Sequence, residues 1–255
     1  MERIRFARQI PISSTTITPA TGGGGGGYAE NGVTFDGASW MTKSSNLAGS
    51  DGKTALIFVS VAFSSAYGGF TAFLLSQEGG NSGIYRHAAL SGATGSQWRN
   101  VTPATLITMN GGTVIGAERA NFLISLDADN TSKHCVWRTG GWLDEADDAA
   151  GGGVDLEFTI SGSQVAIGSR EGIYPFSGLM YRAVMWTGVT APDAHDATTR
   201  NYFCDSSTGA LVDPATSQGV YGQALFDFYG TASEWNATTA NHGSSTGWTW
   251  TGAVT

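Results

Sequence analysis

The stretch VAIGSREGIYPFSGLMYRAVMW, residues 165–186, decides how this chain is read. Two runs rich in aliphatic and aromatic residues flank a polar bend that carries Arg170, Glu171 and Gly172. Short apolar runs bounded by glycine and polar residues are strand signals. The second run, GLMYRAVMW, is apolar on both alternating faces, the pattern of a strand covered on each side. The spacing predicts a hairpin that supplies core between two sheets, with Trp186 in the packing.

Outward from this stretch the period stays at two. In TALIFVSVAF (54–63), Ala55, Ile57, Val59, Val61 and Phe63 fall on one face. In VDLEFTI (154–160), Val154, Leu156, Phe158 and Ile160 alternate with Asp155, Glu157 and Thr159. Both patterns predict half-buried strands, and ANFLISLDAD and HCVW extend the series. Turn formers punctuate them in FDGAS, GSDGK, QEGGNSG, MNGG, RTGG and AGGGV. The chain has 37 glycines in 255 residues and 13% charged residues, where about 25% charged is usual. That balance excludes a helical bundle and predicts one all-β sandwich or jelly roll. A single short helix is expected in TAPDAHDATTRNYF (190–203), with Thr190 as cap, Pro192 in the first turn and Asp193 at the positive end. Beyond it, ALFDFYG is expected to pair with the opening GVTFDGASW strand, and WTWTGAV to form a short last strand. Trp40, in the early strand, is assigned to packing.

Residues 1–27 hold Ser/Thr-rich sequence, two prolines and six consecutive glycines, Gly22 to Gly27. Such a run has no cheap fixed conformation. It predicts a flexible N-terminal arm, with the domain spanning 28–255 and its C-terminal segment running over 189–255. No apolar h-region stands in MERIRFARQIPISS, so no signal peptide is read, and no apolar run reaches membrane-spanning length. Thirteen basic against 21 acidic residues give a net charge of −8 with no basic run. Nucleic acid and anionic membrane are therefore excluded as expected partners. Cys135 and Cys204 have no zinc-like spacing. They read as two small buried hydrophobes, with a disulfide left open.

Two regions carry a family resemblance. VTFDGASWMTKSSNL and VAIGSREGIYPFSGLMYRAVMWTG, within residues 33–188, resemble the concanavalin A-like, laminin G-like jelly roll. The tail TTRNYFCDSSTGALVDP, followed by ALFDFYGTASEWNATTANHGSSTGWTWTGAV, is similar to lectin-like proteins of bacteriophages, prophages and phage-like particles. The matching positions there are Arg200, Phe203, Gly209, Val212, Gly230, Trp235, Asn241, Gly243 and Gly252. The family's Trp-His pair and second Asp-Gly are missing from RANFLISLDADNTSKHCVWRTGG. The resemblance implies an all-β jelly-roll sandwich, a virion structural protein, and calcium sites on loops at one sandwich edge.

Candidate site residues follow from chemistry. Asp127, Asp129 and Asn130 in LDADN offer hard oxygen ligands at alternate spacing, which suits Ca2+, the one cofactor weighed. The same residues suit a hairpin turn, and the turn is preferred. WLDEADDAAGGGVDLE concentrates Asp144, Glu145, Asp147 and Asp148 beside Trp142. An indole face packs on the apolar face of a sugar while carboxylates take its hydroxyls. Trp142, Asp144 and Glu145, with Trp98 in GSQWRN, are thus the carbohydrate-binding candidates, in loop-like contexts; a solvated acidic loop is the plainer reading of the acids.

No catalytic residue is assigned. The paired-carboxylate strand of jelly-roll glycosidases is missing; His87, His134, His195 and His242 are dispersed; and no G-x-S-x-G or H-E-x-x-H occurs. The expectation is a non-enzymatic virion structural protein, such as a tail fibre, spike or capsid decoration, whose lectin-like domain binds host cell-surface polysaccharide. The arm would dock on other virion proteins, copies would form a homo-oligomer on the particle, and assembly would occur in the host cytoplasm. The alternatives are a purely architectural virion subunit and, behind it, a polysaccharide depolymerase.

Overall fold

The computed structural model describes residues 28, 30–43, 54–64, 72–77, 82–86, 93–99, 106–114, 116–127, 131–145, 148–149, 165–169 and 174–255. The expected arm, residues 1–27, and the expected strand 154–160 lie outside these residues. The described chain folds into two antiparallel sheets packed face to face.

One sheet has eight strands. Its main path runs β1 (Val33–Asp36), β13 (Ser177–Thr187), β3 (Thr54–Phe63), β8 (Arg119–Asp127), β9 (Thr131–Arg138) and β10 (Gly141–Asp144). In the same sheet β11 (Asp148–Ala149) pairs with β9, and β14 (Phe226–Phe228) with β13. The other sheet has seven, in the order β15 (Trp248–Thr251), β2 (Trp40–Lys43), β12 (Val165–Ile167), β4 (Ala72–Gln77), β5 (Ser82–Arg86), β6 (Ala93–Arg99) and β7 (Leu106–Val114). Alternation sends Phe35, Ile57, Val59, Phe122 and Met180 of the first sheet, and Met41, Leu75, Ile84 and Ile167 of the second, into one shared core.

The 165–186 stretch supplies this core, but not as a hairpin. Its two strands, β12 and β13, belong to different sheets. The bend crosses the sandwich, closed by Gly168 N–H to Leu74 O at 2.9 Å and Phe176 N–H to Gly168 O at 2.7 Å. Gly168 sits at φ +82°, and a Cβ there would lie 2.5 Å from the Phe35 ring. Phe176 then inserts between Phe35 (5.7 Å) and Phe63 (5.6 Å). Strong apolar character on both arms marks two sheets meeting, which periodicity alone does not distinguish from one sheet folding back.

Three further expectations are corrected. The strand over 54–63 is buried on both faces after Thr54, not one, because its outer face lies under the C-terminal segment. Strand β14 pairs with Ala183–Met185 of β13 rather than with β1. β1 takes Ser177–Met180 of β13, and β3 pairs along the length of that strand, so β1 and β14 share one edge end to end. Finally, three short helices are present among the described residues: α1 (Ala197–Asn201), α2 (Pro214–Tyr221) and α3 (Ala232–Asn236). Asp196, not Thr190, caps α1, accepting from Thr199 N–H. Asp213 caps α2 ahead of Pro214, and α3 has a reciprocal Thr231/Glu234 capping box. None of these helices is long and apolar enough to cross a membrane.

The segment 189–224 builds a second core on the outer face of the eight-stranded sheet. Leu56, Phe58, Leu123 and Val184 meet Phe203 and Leu211 there, with Phe203 stacked on Phe58 at 4.8 Å. Trp186 is in the packing, as expected, but here on the outer face, against Phe203 at 5.9 Å, rather than between the sheets.

Candidate functional site

The covered side of the sandwich holds two of the expected sugar-binding residues in one place. Trp142 and Asp144 lie on β10 rather than in a loop, because RTGG turns β9 back so that Trp142 pairs with Trp137. The Trp142 ring packs against the second core, and the Arg200 guanidinium lies over it at 5.5 Å. Asp144 forms an ion pair with the same Arg200, whose Nε donates to Ala194 O at 2.9 Å. Arg200 therefore occupies one indole face and engages the carboxylate, joining β10 to α1. Glu145 follows the strand, its N–H donating to His134 O at 3.0 Å. Trp98 is elsewhere: it lies on β6 of the other sheet, paired with Ile107. Its register position shares a face with Ser96, the partner of buried Ile84.

Asp127 ends β8 and is buried. Its N–H donates to Ser132 Oγ at 3.0 Å, and β8 pairs antiparallel with β9 around it, so LDADN joins two hairpin strands. Asp129 and Asn130 lie outside the described residues. Among the described residues, no three His, Cys, Asp or Glu side chains gather as a metal site. Both cysteines are free and buried. Burial pushes the Cys204 thiol up to about 12 and the Cys135 thiol up as well. His134 and His195, separated in sequence, come together through the His195 ring and the His134 carbonyl, 2.9 Å apart.

The tail residues that carry the phage-like resemblance have packing roles. Phe203 and Trp235 are fully buried. Gly209 has φ +70°, and a Cβ there would meet the Trp137 ring at 2.3 Å. The Asn241 amide accepts from Asp227 N–H and Gly243 N–H and donates to Ser245 O. Beneath them, Asp227 holds Arg182 through two hydrogen bonds of 2.8 and 2.7 Å, with both side chains fully buried. Ser217 and Gln218 of α2 complete the cluster. The start of the domain is fastened to the same side. Glu30 accepts two bonds from Arg119, of 2.6 and 2.9 Å, and another from Leu211 N–H. Tyr28 meets Tyr229 edge to face at 6.0 Å; burial, aided by Tyr229, pushes its hydroxyl up to about 12.

The outer face of the seven-stranded sheet is different in kind. Met41 is buried in the shared core, so its neighbours Trp40 and Thr42 fall on the opposite face. Both are half-buried, which corrects the assignment of Trp40 to packing. On edge strand β15, Thr249 pairs with Thr42 and Thr251 with Trp40, and both threonines are exposed. The Thr42 and Thr249 hydroxyls are 3.4 Å apart. The Thr249 hydroxyl also donates to Thr42 O at 3.4 Å, and a tryptophan beside such long-bonded hydroxyls is an arrangement able to stack on a sugar ring and hydrogen-bond its substituents. The signal for Trp40 was its alternation with Met41 in a strand of only four residues.

The described residues form an all-β sandwich of two antiparallel sheets with three short helices. No protein-family model matches the chain, and no curated protein matches it in sequence. Among solved structures it is similar to a heptameric SAP-like pentraxin from Limulus polyphemus, at 12% identity over 63% of this chain and 78% of that one, with a TM-score of 0.42. It is similar also to the CBM40 of a Ruminococcus gnavus IT-sialidase, at 18% identity over 67% and 97%, TM-score 0.45. A third is the LG1-3 region of the laminin alpha2 chain, at 12% identity over 66% and 34%, TM-score 0.44.

Proposed function

We propose that this chain is a non-enzymatic structural protein of a phage or phage-like particle, and that its jelly roll binds host-surface glycan. The observation that carries the binding is half-buried Trp40 beside Thr42, Thr249 and Thr251 on the outer face of the seven-stranded sheet. An indole that packs on a pyranose, with hydroxyls beside it to fix orientation, is the chemistry of sugar recognition. The phage assignment is supported by the tail resemblance. In this reading residues 1–27 dock on other virion proteins. Repeated copies on the particle convert weak single-site binding into avidity.

The test is binding of the purified protein to a host-surface glycan panel, with and without Ca2+, alongside Trp40→Ala. Binding that falls about tenfold in Trp40→Ala, with its unfolding midpoint unchanged, is the expected result. Equal binding by the variant would remove this face from the proposal. A second reading, a purely architectural subunit, is favoured by the exposed apolar side chains Leu143 and Val220. It predicts no glycan binding and loss of particle incorporation when these two are made polar.

A further inference from the structure

The eight-stranded sheet ends at β10, with no described strand beyond it. Glu145 N–H donates to His134 O at 3.0 Å and continues the register of β10 on β9. Hydrogen-bonded positions alternate along an antiparallel pair, so Gly141, Leu143 and Glu145 turn their backbone groups toward β9. Trp142 and Asp144 turn theirs outward, and among the described residues nothing bonds to those backbone groups. The side chains of this edge are exposed and of two kinds. Leu143, opposite the core residue Val136, is 42% exposed, and the Asp144 side chain is 58% exposed. Edge strands are ordinarily blunted by a lysine, a proline or a bulge, and GWLD has none of them.

We infer that residues 3–6 of this chain, RIRF, add to that edge of their own domain as an antiparallel strand. Arg3 and Arg5 alternate with Ile4 and Phe6, the same two-faced pattern that the edge presents. With Arg3 opposite Asp144, Ile4 falls opposite Leu143, Arg5 opposite Trp142 and Phe6 opposite Gly141. Guanidinium meets carboxylate on one face and aliphatic meets aliphatic on the other, both stabilising cross-strand pairs. The outward N–H and C=O groups of Trp142 and Asp144 gain partners at the same time. The two parts are also complementary in charge. Residues 1–27 hold three of the 13 basic residues and one of the 21 acidic ones, so the rest of the chain carries ten basic against 20 acidic. Reach is ample. Tyr28, against Tyr229, lies beside β14, five strand spacings or about 24 Å from β10 across the sheet, and the chain from Phe6 to Tyr28 extends to at most about 75 Å. Such a tether gives the segment an effective concentration on the order of millimolar at its own edge, which favours that edge over a neighbouring copy's. The inference goes beyond the reading above and is independent of glycan binding; docking of the arm on a particle requires the segment to leave β10.

The test is a disulfide placed at the expected register in the full chain. Ile4 and Leu143 form a non-hydrogen-bonded pair in this arrangement, with Cα atoms about 4.5 Å apart, within the range that a disulfide spans. Under mild oxidation, Ile4→Cys with Leu143→Cys should give a monomer bridged between positions 4 and 143, identified by peptide mapping. It should form at least about tenfold faster than the bridge in Ile4→Cys with Val220→Cys, another exposed site. Adding Arg3→Glu and Arg5→Glu should slow it several-fold. Cys135 and Cys204 are buried and stay out of the reaction. A second readout needs no added cysteine: amide exchange at Trp142 and Asp144 should be at least about tenfold faster in Arg3→Glu with Arg5→Glu than in the wild type. Equal crosslinking of the two cysteine pairs, or equal exchange in variant and wild type, overturns the inference. A bridge formed only between molecules assigns the edge to a neighbouring copy and overturns the contact within one domain. None of these substitutions touches Trp40, so glycan binding is scored separately and a failure here leaves that reading standing.

Discussion

The two sheets turn opposite characters outward. The eight-stranded sheet buries its outer face under the chain's own C-terminal segment, with Phe203 on Phe58 and the Arg182–Asp227 pair beneath. The seven-stranded sheet carries a half-buried tryptophan and exposed threonines on its outer face. Sequence motifs follow the first kind of surface, since most of the tail residues that define the resemblance fill space or fix turns. The proposed sugar-binding residues lie on the second, where uncharged strand residues give no motif at all.

The largest expected effect breaks the covered side. Asp227→Ala strands the Arg182 guanidinium in a dry interior, and removing one partner of a buried pair costs about 3–5 kcal/mol. Urea unfolding should show a loss of that size, and Arg182→Met with Asp227→Leu should recover most of it. A loss below about 1 kcal/mol would mean that the cover is held by its apolar contacts alone.

Next comes a matched pair of truncations. Phe203→Ala removes a fully buried ring and should destabilise by about 3–5 kcal/mol. Thr249→Ala, exposed on the other sheet, should stay within about 0.5 kcal/mol. Similar losses in the two variants would erase the distinction between the faces.

Much of this architecture was legible in the sequence, and the reasons for the rest are physical. Period two in residues 54–63 and the short apolar run over 178–186 announced strands, because side chains alternate whatever the tertiary context and a strand covered on each side is apolar on both faces. The covering of β3 on both sides was not legible, since its partner is a distant segment, with Phe203 stacked on Phe58 from 145 positions later. Helices of five to eight residues are too short to display a 3.6 period, although Asp-Pro at 213–214 and Thr-x-x-Glu at 231–234 carried the cap signals. At the site, Trp142 looked like a free platform because its sequence neighbours are polar, and Arg200, which covers it, is distant in the chain. Trp40 looked like core because four residues of strand do not say which face is covered.

Asp144 sharpens the comparison with a small effect. Its side chain is 58% exposed in the pair with Arg200, and exposed ion pairs contribute about 0–1 kcal/mol. Asp144→Ala should therefore lower stability by no more than that. If Trp142 is held in place by Arg200 and the core, its fluorescence in the variant should keep the wild-type emission maximum; a red shift would show that Asp144 orients Arg200 over the ring.

The smallest shift concerns the turn that seats Gly209 on Trp137. The Asp205 carboxylate accepts bonds from the Ser207 hydroxyl, at 2.6 Å, from the Thr208 N–H and hydroxyl, and from the Ser207 N–H. These bonds, the Ser207 hydroxyl foremost, hold its pKa down to about 2. A depressed carboxylate stabilises the fold above its unfolded value, near pH 3.9 or about 4. That contribution fades as pH falls from there toward 2. Asp205→Asn keeps one acceptor oxygen and does not titrate. The difference in melting temperature between wild type and variant should accordingly be steady above about pH 5 and shrink between about 4 and 2. Other carboxylates held low, Asp193 and Asp196 among them, are common to both proteins and cancel in the difference. A gap that stays constant to the acid limit would show that the turn is set by Gly209 and its contact with Trp137, with the carboxylate following rather than fixing it.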